Sequence, residues 1–240
     1  MALSEEICTS AFLAIRSGDV AALGDLLLTH SELAACRLSG AADGRTPLHV
    51  VTDWPGYFPN GPRIAELLVD SGAEVDSRGS QDGTGETPLQ WTASNDDVDI
   101  ARVLIDAGAD VNAAGGSIGT VLDNAVGYGC WNVARLVVDR GARVDKLWLA
   151  AGLGLLEQLE VLLADPANST QASVDQAFWH ACAGGRRRAA EFLVQHGADL
   201  TFTPDYGRGT VLDVANDHGT QQSNVIEWLG QLGVRRAVGP

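Results

Sequence analysis

The chain has 240 residues, 45% of them hydrophobic, so it is long enough and apolar enough to bury a large core. Acidic side chains outnumber basic ones by 31 to 16, and the net charge of −15 disfavours nucleic acids and anionic membranes, whose phosphates it would repel. The longest apolar run, Leu147 to Leu156, is too short to cross a bilayer, and no signal peptide is visible, so we expect a soluble, cytoplasmic protein.

The N-terminal segment carries two helical patterns, Ile7–Ser17 and Val20–Leu28, with apolar residues at helical spacing. Neither pattern begins with the threonine-containing turn that opens the units further along the chain. We therefore predict that residues 1–42 form a capping unit at one end of a repeat array.

From residue 43 onwards one pattern recurs, in which a turn beginning with threonine is followed by two apolar helices and a Gly-Ala exit. A threonine hydroxyl can cap the first helix, proline suits the first helical position, and glycine suits a left-handed helix end. No unit could bury its apolar stripe alone, so the units must stack. The openings are Thr46-Pro47-Leu48, Thr87-Pro88-Leu89, Thr120-Val121-Leu122 and Thr210-Val211-Leu212, and the exits begin at Gly72, Gly108, Gly141 and Gly197.

The spacing of the exits predicts the number of units. The step from Gly108 to Gly141 is 33 residues, and the step from Gly72 to Gly108 is 36, which leaves room for a longer finger. The 56 residues from Gly141 to Gly197 accommodate two compressed units. We therefore predict a single domain over residues 1–240 with about seven units. Its internal repeats span residues 43–204, and residues 205–240 form the second cap.

The segment ETPLQWTASNDDVDIARVLIDAGADVNA at residues 86–113 resembles an ankyrin repeat, as do DGRTPLHV at 43–50 and AEFLVQHGADL at 190–200. The resemblance covers most of the chain and implies an all-α ankyrin-repeat solenoid of helix-turn-helix units with hairpin fingers. It also implies a module that binds other proteins along a concave groove formed by the fingers and the first helices. A looser similarity, carried by the segment GGRRRAAE and by Trp-rich first helices, points to a bacterial, actinobacterial group.

The chain departs from the family at the position where a histidine usually ties neighbouring turns. Glutamine and aspartate could form similar bonds, but tryptophan cannot accept a hydrogen bond, so the fifth and sixth units must be tied differently. In successive units this position holds His49, Gln90, Asp123, Trp148, Trp179 and Asp213.

By the resemblance, the two positions that follow the core of each first helix face the groove, and in the early units they carry acidic, amide and aromatic side chains. The insertion Pro55–Pro62 lies where two helices should join closely, and its prolines and glycines predict a stiff loop. Its aromatic residues must fold onto the stack or form an apolar contact. The predicted binding residues are Asp53, Trp54, Tyr57, Phe58, Gln81, Asp82, Trp91, Asn95, Tyr128 and Trp131.

One histidine is a candidate for catalysis. His180 stands where the family position is apolar, and desolvation would favour its neutral form, so it could act as a general base with Asp123 or Asp53 as counterpart. The alternative is a core histidine bonded to a backbone carbonyl. The basic run Arg186–Arg188 is either a solvated corner with salt bridges or an anion clamp.

Two functional hypotheses result. The first is a binding module whose acidic, aromatic groove recognises a protein or peptide with basic residues. The second is a small-molecule-binding protein or a cofactor-free lyase, isomerase or cyclase that works by acid–base catalysis. The histidines show no metal-ligand spacing and the four cysteines no close pair, so we expect no metal or cofactor and free cytosolic thiols.

Overall fold

The computed structural model describes residues 3–40, 44–80, 82–207, 209–217 and 223–236, and all regular structure in these ranges is helical. Within these ranges fourteen α-helices follow one another, and a 3₁₀ turn, Ser31–Ala35, comes after the second. They are α1 (Glu5–Ser17), α2 (Val20–Thr29), α3 (Pro47–Thr52), α4 (Gly61–Asp70), α5 (Pro88–Thr92), α6 (Val98–Asp106), α7 (Val121–Tyr128), α8 (Trp131–Asp139), α9 (Leu147–Leu153), α10 (Leu156–Leu163), α11 (Gln171–Ala183), α12 (Arg187–Gln195), α13 (Val211–Asp217) and α14 (Ser223–Gln231).

The recurring threonines begin the first helices as the sequence predicts. The hydroxyl oxygens of Thr46, Thr87 and Thr120 each accept a hydrogen bond from the backbone amide three residues later, which satisfies one of the free amides of the helix start. Proline occupies the first helical position of α3 and α5. The exit glycines also adopt the expected left-handed conformation, with φ near 90°. They are Gly72, Gly108, Gly141 and Gly197.

The helices pack in consecutive pairs, from α1 with α2 to α13 with α14, and within each of two compact units these pairs stack on one another. In the first unit, Met1–Ala142, the first helices α1, α3, α5 and α7 pack in that order, and so do the second helices α2, α4, α6 and α8. In the second unit, Arg143–Pro240, α11 packs against both α9 and α13. The all-α prediction is confirmed for the described residues, while the count of seven repeats, the cap boundaries and the single-domain organisation stay predictions.

The cores of the two units are apolar, and together they contain three of the four cysteines. Cys8, Cys130 and Cys182 are buried, and Cys36 is half-buried; all four are free thiols. Burial raises the pKa of Cys130 to about 12 and that of Cys36 to about 11, so these thiols stay protonated at neutral pH. Among the described helices, none combines the length and the apolar character that a membrane crossing requires.

Candidate binding surface

Two arginines tie neighbouring fingers of residues 1–142 together. Arg37 donates hydrogen bonds to the carbonyls of Arg78, Gly79 and Ser80 in the next finger, at 2.7, 3.1 and 2.7 Å. Arg78 in turn donates to the carbonyl of Ala114 in the finger after that. A guanidinium can serve several carbonyls at once because its donors form a planar fork. The fingers are therefore held in a fixed relation to one another.

The Arg37→Lys variant tests this arrangement. Lysine keeps the charge but loses the planar fork, so we expect the amides of residues 78–86 to exchange with solvent about tenfold faster, for a loss of about 1–2 kcal/mol of local stability. Hydrogen exchange measured by mass spectrometry checks this, with the peptides of α6 as internal control. Unchanged exchange in the finger would contradict the assigned role of Arg37.

At the position where the family usually has a histidine, side chains of this structure hydrogen-bond to the turns. The Nε2–H of His49 donates to the Glu86 carbonyl at 3.0 Å, and the Thr46 hydroxyl lies 2.7 Å from its Nδ1. Burial lowers the pKa of His49 to about 4, so the ring is neutral. Gln90 takes the same role, with its Nε2 donating to two carbonyls of the following finger at 3.1 and 3.0 Å. Asp123 closes its own turn by accepting from the amide and the hydroxyl of the capping threonine.

We define the insertion loop as residues 53–60, since Gly61 and Pro62 already belong to α4. One side of this loop is fixed to the junction of α5 and α6. The Tyr57 amide donates to Asp97 Oδ2 at 2.9 Å, and its hydroxyl donates to a backbone carbonyl of the same junction. The side-chain amide of Asn95 donates to the last carbonyl of α3 at 3.0 Å.

The other side of the insertion loop is fixed to the first helix pair. The Arg16 guanidinium carbon lies 4.1 Å from the centroid of the Phe58 ring, and the same group donates to Asp53 Oδ2 at 3.2 Å. Arg45 donates to that oxygen at 2.6 Å, and Asn60 Nδ2 donates to the C-cap carbonyl of α1 at 2.9 Å. Phe58 and Asp53 thus hold the loop in place, and both are bound within the chain.

Three of the predicted binding residues present aromatic rings to solvent. Trp54 and Tyr57 in the insertion loop are 72% and 58% exposed, and Tyr128 at the end of α7 is 44% exposed. The Tyr128 hydroxyl lies 3.1 Å from the Ser117 hydroxyl, and Ile118 packs so closely on α7 that a Cβ on Gly127 would clash with it. Ser117 and Ile118 therefore lie against the C-terminal end of α7.

Other predicted binding residues are less available. Trp131 is the first residue of α8 and only 6% exposed, which corrects the expectation that it faces a partner, because it starts a second helix and packs into the core. Trp91 is half-buried, with its ring edge-on to His49 at 4.9 Å between centroids. Asp82 is exposed, and Thr84 hydrogen bonds lower its pKa. Gln81 lies outside the described residues.

His180 is 2% exposed, which corrects the expectation of a base facing a groove. Burial lowers its pKa to about 3, so the ring is neutral. Its Nε2 lies 3.2 Å from the Tyr206 hydroxyl, and its ring is 4.7 Å from that of Trp148 between centroids. Trp179 packs edge-on to both His180 and Tyr206. Ring packing therefore replaces the usual histidine bonds at the two tryptophan positions.

The proposed counterparts of His180 are engaged elsewhere. Asp123 is 1% exposed within the cap of α7, and Asp53 is bound by two arginines, so the structure offers the acid–base hypothesis no accessible base or acid at these positions. Within the described ranges, no group of three or more His, Cys, Asp or Glu side chains could hold a metal ion.

The basic run at the start of α12 is a solvated corner. Arg186 Nε donates to the Gly152 carbonyl at 3.2 Å, and Arg187 pairs with Glu191 at 2.8 Å. Arg188 is exposed. Because the three guanidinium groups have different surroundings, this arrangement does not support the anion clamp.

Comparisons with known proteins agree with the geometry. A family model described as ankyrin repeats in three copies matches residues 57–146. The ankyrin repeat domain of Bcl-3, a member of the IkappaB protein family, is 23% identical with a TM-score of 0.54, and the match covers 92% of this chain and 97% of that one. The human ASB11 ankyrin repeat domain is 17% identical with a TM-score of 0.52, covering 91% and 96%. No curated protein matches the chain.

At these identities the likeness to solved structures shows the fold, and the family match places recognisable repeats in its middle. Domains of this kind generally act as protein–protein interaction modules, since stacked repeats present an extended surface to a partner. The repeat pattern, the helix pairs and both comparisons agree: residues 57–146 match the ankyrin-repeat family model, and the chain has the fold of ankyrin repeat domains.

Proposed function

We propose that the first compact unit binds a protein or peptide with basic residues through a surface that includes Trp54, Tyr57 and Tyr128. The observation that carries this proposal is the exposure of Trp54, at 72%, on a loop whose two sides are hydrogen-bonded to neighbouring helix pairs. A large aromatic ring kept in water by a rigid loop has no role in the core of this unit. Such rings commonly supply much of the binding energy of an interface.

The distribution of charge supports a basic partner. Residues 1–142 contain twenty acidic and eight basic side chains, which leaves a net charge of −12 with neutral histidines. Residues 143–240 contain eleven and eight, which leaves −3. The negative charge is thus concentrated in the unit that carries Trp54, Tyr57 and Tyr128. A partner of opposite charge would associate faster with this unit, most strongly at low salt.

The rigidity of the loop also favours binding. A flexible loop would lose conformational freedom when a partner ordered it, at about 0.5–1.5 kcal/mol for each immobilised side chain. The Tyr57 hydroxyl and amide, and Asn60 on the other side, already fix this loop in the unbound chain. Much of that entropic cost is therefore met during folding, before a partner arrives.

A random peptide library displayed on phage and selected against the chain provides the test. We expect the selected peptides to be rich in arginine and lysine. Trp54→Ala and Tyr128→Ala should each raise the Kd of a selected peptide by about 10- to 30-fold, as for interface residues worth about 2 kcal/mol. Tyr206→Ala is the matched control, because this tyrosine is 60% exposed in the other compact unit.

The dependence on salt gives an independent measurement. Raising the ionic strength from low to physiological values should weaken the binding of the same peptide, mainly through its association rate. The proposal is wrong if the selected peptides carry no excess of positive charge, or if their affinity is indifferent to both aromatic substitutions while the variants remain folded by circular dichroism.

A further inference from the structure

We propose that the Tyr128 hydroxyl accepts a hydrogen bond from a basic side chain of the partner, because Ser117 and Glu86 fix the direction of its own proton. This inference rests on the proposed function and deepens it, since it states what one residue of the proposed surface recognises. Tyr128 touches the partner, whereas Ser117 and Glu86 are positioning residues that act through it.

The direction of these hydrogen bonds follows from the carboxylate of Glu86. The Ser117 hydroxyl lies 3.0 Å from Glu86 Oε1 and 3.1 Å from the Tyr128 hydroxyl. A carboxylate only accepts, so Ser117 donates its single hydroxyl proton to Glu86. The Ser117 oxygen then accepts the proton of the Tyr128 hydroxyl. The phenol proton therefore points towards Ser117, and the hydroxyl oxygen of Tyr128 is left as an acceptor.

Glu86 is held firmly enough to set this direction. Besides the Ser117 hydroxyl, its Oε1 accepts from the Ser117 backbone amide at 2.8 Å and from the Asn124 side-chain amide at 2.7 Å. Asn124 is only 1% exposed, and its Oδ1 accepts from the Ile118 amide at 3.2 Å. Three hydrogen bonds to one oxygen leave the carboxylate little freedom to turn. Ser117 therefore keeps one orientation, and so does the Tyr128 hydroxyl.

The Tyr128 oxygen can take a further hydrogen bond from outside the chain. Its only hydrogen bond within the described residues is the one with Ser117, and the side chain is well exposed. Glu86 is half-buried, and no ion pair of the described residues includes it. Arg78 donates to the adjacent Gly85 carbonyl at 3.2 Å and does not pair with the Glu86 carboxylate. An accessible acceptor thus lies two hydrogen bonds away from an unpaired negative charge.

A cationic N–H group fits this arrangement. It can donate to the Tyr128 oxygen while its charge is attracted by the Glu86 carboxylate. The two bonds from Tyr128 to Glu86 run in the same direction, so each strengthens the acceptor that the partner meets. An acidic side chain would face both an acceptor and a negative charge, and would be repelled. Tyr128 therefore contributes to the charge selectivity of the proposed surface as well as to its aromatic contact area.

A titration with hexalysine amide at low salt, followed by ¹H–¹⁵N NMR on the intact chain, tests the proposal. We expect saturable shifts of the Ser117 backbone amide and the Asn124 side-chain amide, which both donate to Glu86. The fully Nζ-acetylated peptide keeps its side-chain N–H groups and loses their charge, so it should produce no saturable shift. Tyr128→Phe keeps the ring and removes the acceptor, and it should raise the Kd about three- to tenfold.

Two further variants test the positioning residues. Ser117→Ala frees the phenol proton to point outwards and should raise the Kd about two- to threefold. If Ser117 acts through Tyr128, adding this change to Tyr128→Phe should cause no further loss. Glu86→Gln preserves an accepting oxygen and removes the charge, so it should raise the Kd about two- to fivefold. Asp70→Asn is the matched control, because Asp70 is an exposed carboxylate at the C-terminal end of the second helix α4, and its effect should be smaller.

An unchanged Kd for Tyr128→Phe, or no saturable shift of the Ser117 amide, would overturn this inference. The proposed function would stand in that case if selected peptides still bound Trp54→Ala and Tyr128→Ala more weakly, because it requires only the aromatic rings. Conversely, hexalysine binding that depends on the Tyr128 hydroxyl, together with selected peptides that are indifferent to both alanine variants, would remove the proposed function and leave an isolated cation-binding site.

Discussion

Replacing Gly18 with alanine should destabilise the first compact unit by about 3 kcal/mol or more and release the insertion loop. Gly18 caps α1 in the left-handed conformation, with φ at 72°, which costs an alanine about 1–2 kcal/mol. The larger effect is steric. A Cβ on Gly18 would lie 2.0 Å from the carbonyl oxygen of Pro59 in the insertion loop, and a backbone atom cannot rotate away. Overpacking of this kind adds about 1–3 kcal/mol.

Gly108→Ala separates the two causes. Gly108 has a similar conformation, with φ at 96°, but a Cβ there would meet nothing within 4 Å, so only the conformational strain should remain. Urea unfolding followed by circular dichroism should therefore show a loss of about 1–2 kcal/mol for Gly108→Ala and clearly more for Gly18→Ala. The same Gly18 variant should bind the selected peptides more weakly, because Trp54 would no longer be held in place. Equal losses for both variants would contradict the close contact between Gly18 and Pro59.

Much of the fold can be predicted from the sequence because its determinants are local. The threonine caps act on an amide three residues away, and the exit glycines act on their own backbone angle. Apolar spacing then indicates which helix faces must be covered. Trp131 shows the limit of this reasoning. The resemblance places it next to a first helix, at the binding surface, but it is the first residue of the second helix α8 and its side chain is buried in the core.

The candidate site depends on contacts between residues about forty positions apart, which periodicity does not reveal. Tyr57 binds Asp97, and Arg37 binds the finger around Gly79, and neither pair has a local signal in the sequence. One clue was present, since Arg37 and Arg78 each stand nine residues before a capping threonine and perform the same task in successive fingers. A residue that recurs at a fixed offset in adjacent repeats indicates a bond between repeats.

Lowering the pH from 7 to 5 should cost about 4 kcal/mol of stability, divided between one buried histidine in each compact unit. Burial lowers the pKa of His49 to about 4 and that of His180 to about 3, against 6.5 for an ordinary histidine. The unfolded chain therefore binds protons below pH 6.5 that the folded chain does not. The stability that these two neutral rings allow is fully present above pH 6.5. It falls as the pH decreases from 6.5 towards the pKa of the histidines in the folded chain. At pH 5 the expected loss is about 2 kcal/mol for each histidine.

Two substitutions assign this loss to the two rings. Gln90 already makes the inter-turn bonds of the histidine position, so His49→Gln should preserve the contact with Glu86 and remove the acid sensitivity of the first unit. His180→Phe should keep the ring packing with Trp148 and remove the acid sensitivity of the second unit. It loses the Nε2 contact with the Tyr206 hydroxyl but also removes the buried Nδ1, which has no partner among the described residues, so the net loss at pH 7 should be small. The carboxylates whose pKa is shifted, Asp82 and Asp199, have lowered pKa values and titrate below this pH range.

Urea midpoints measured between pH 5 and 7 provide the check. If the double variant lost as much stability as the parent chain, the acid sensitivity would have to arise from other groups, and the burial of these two neutral rings would not control it.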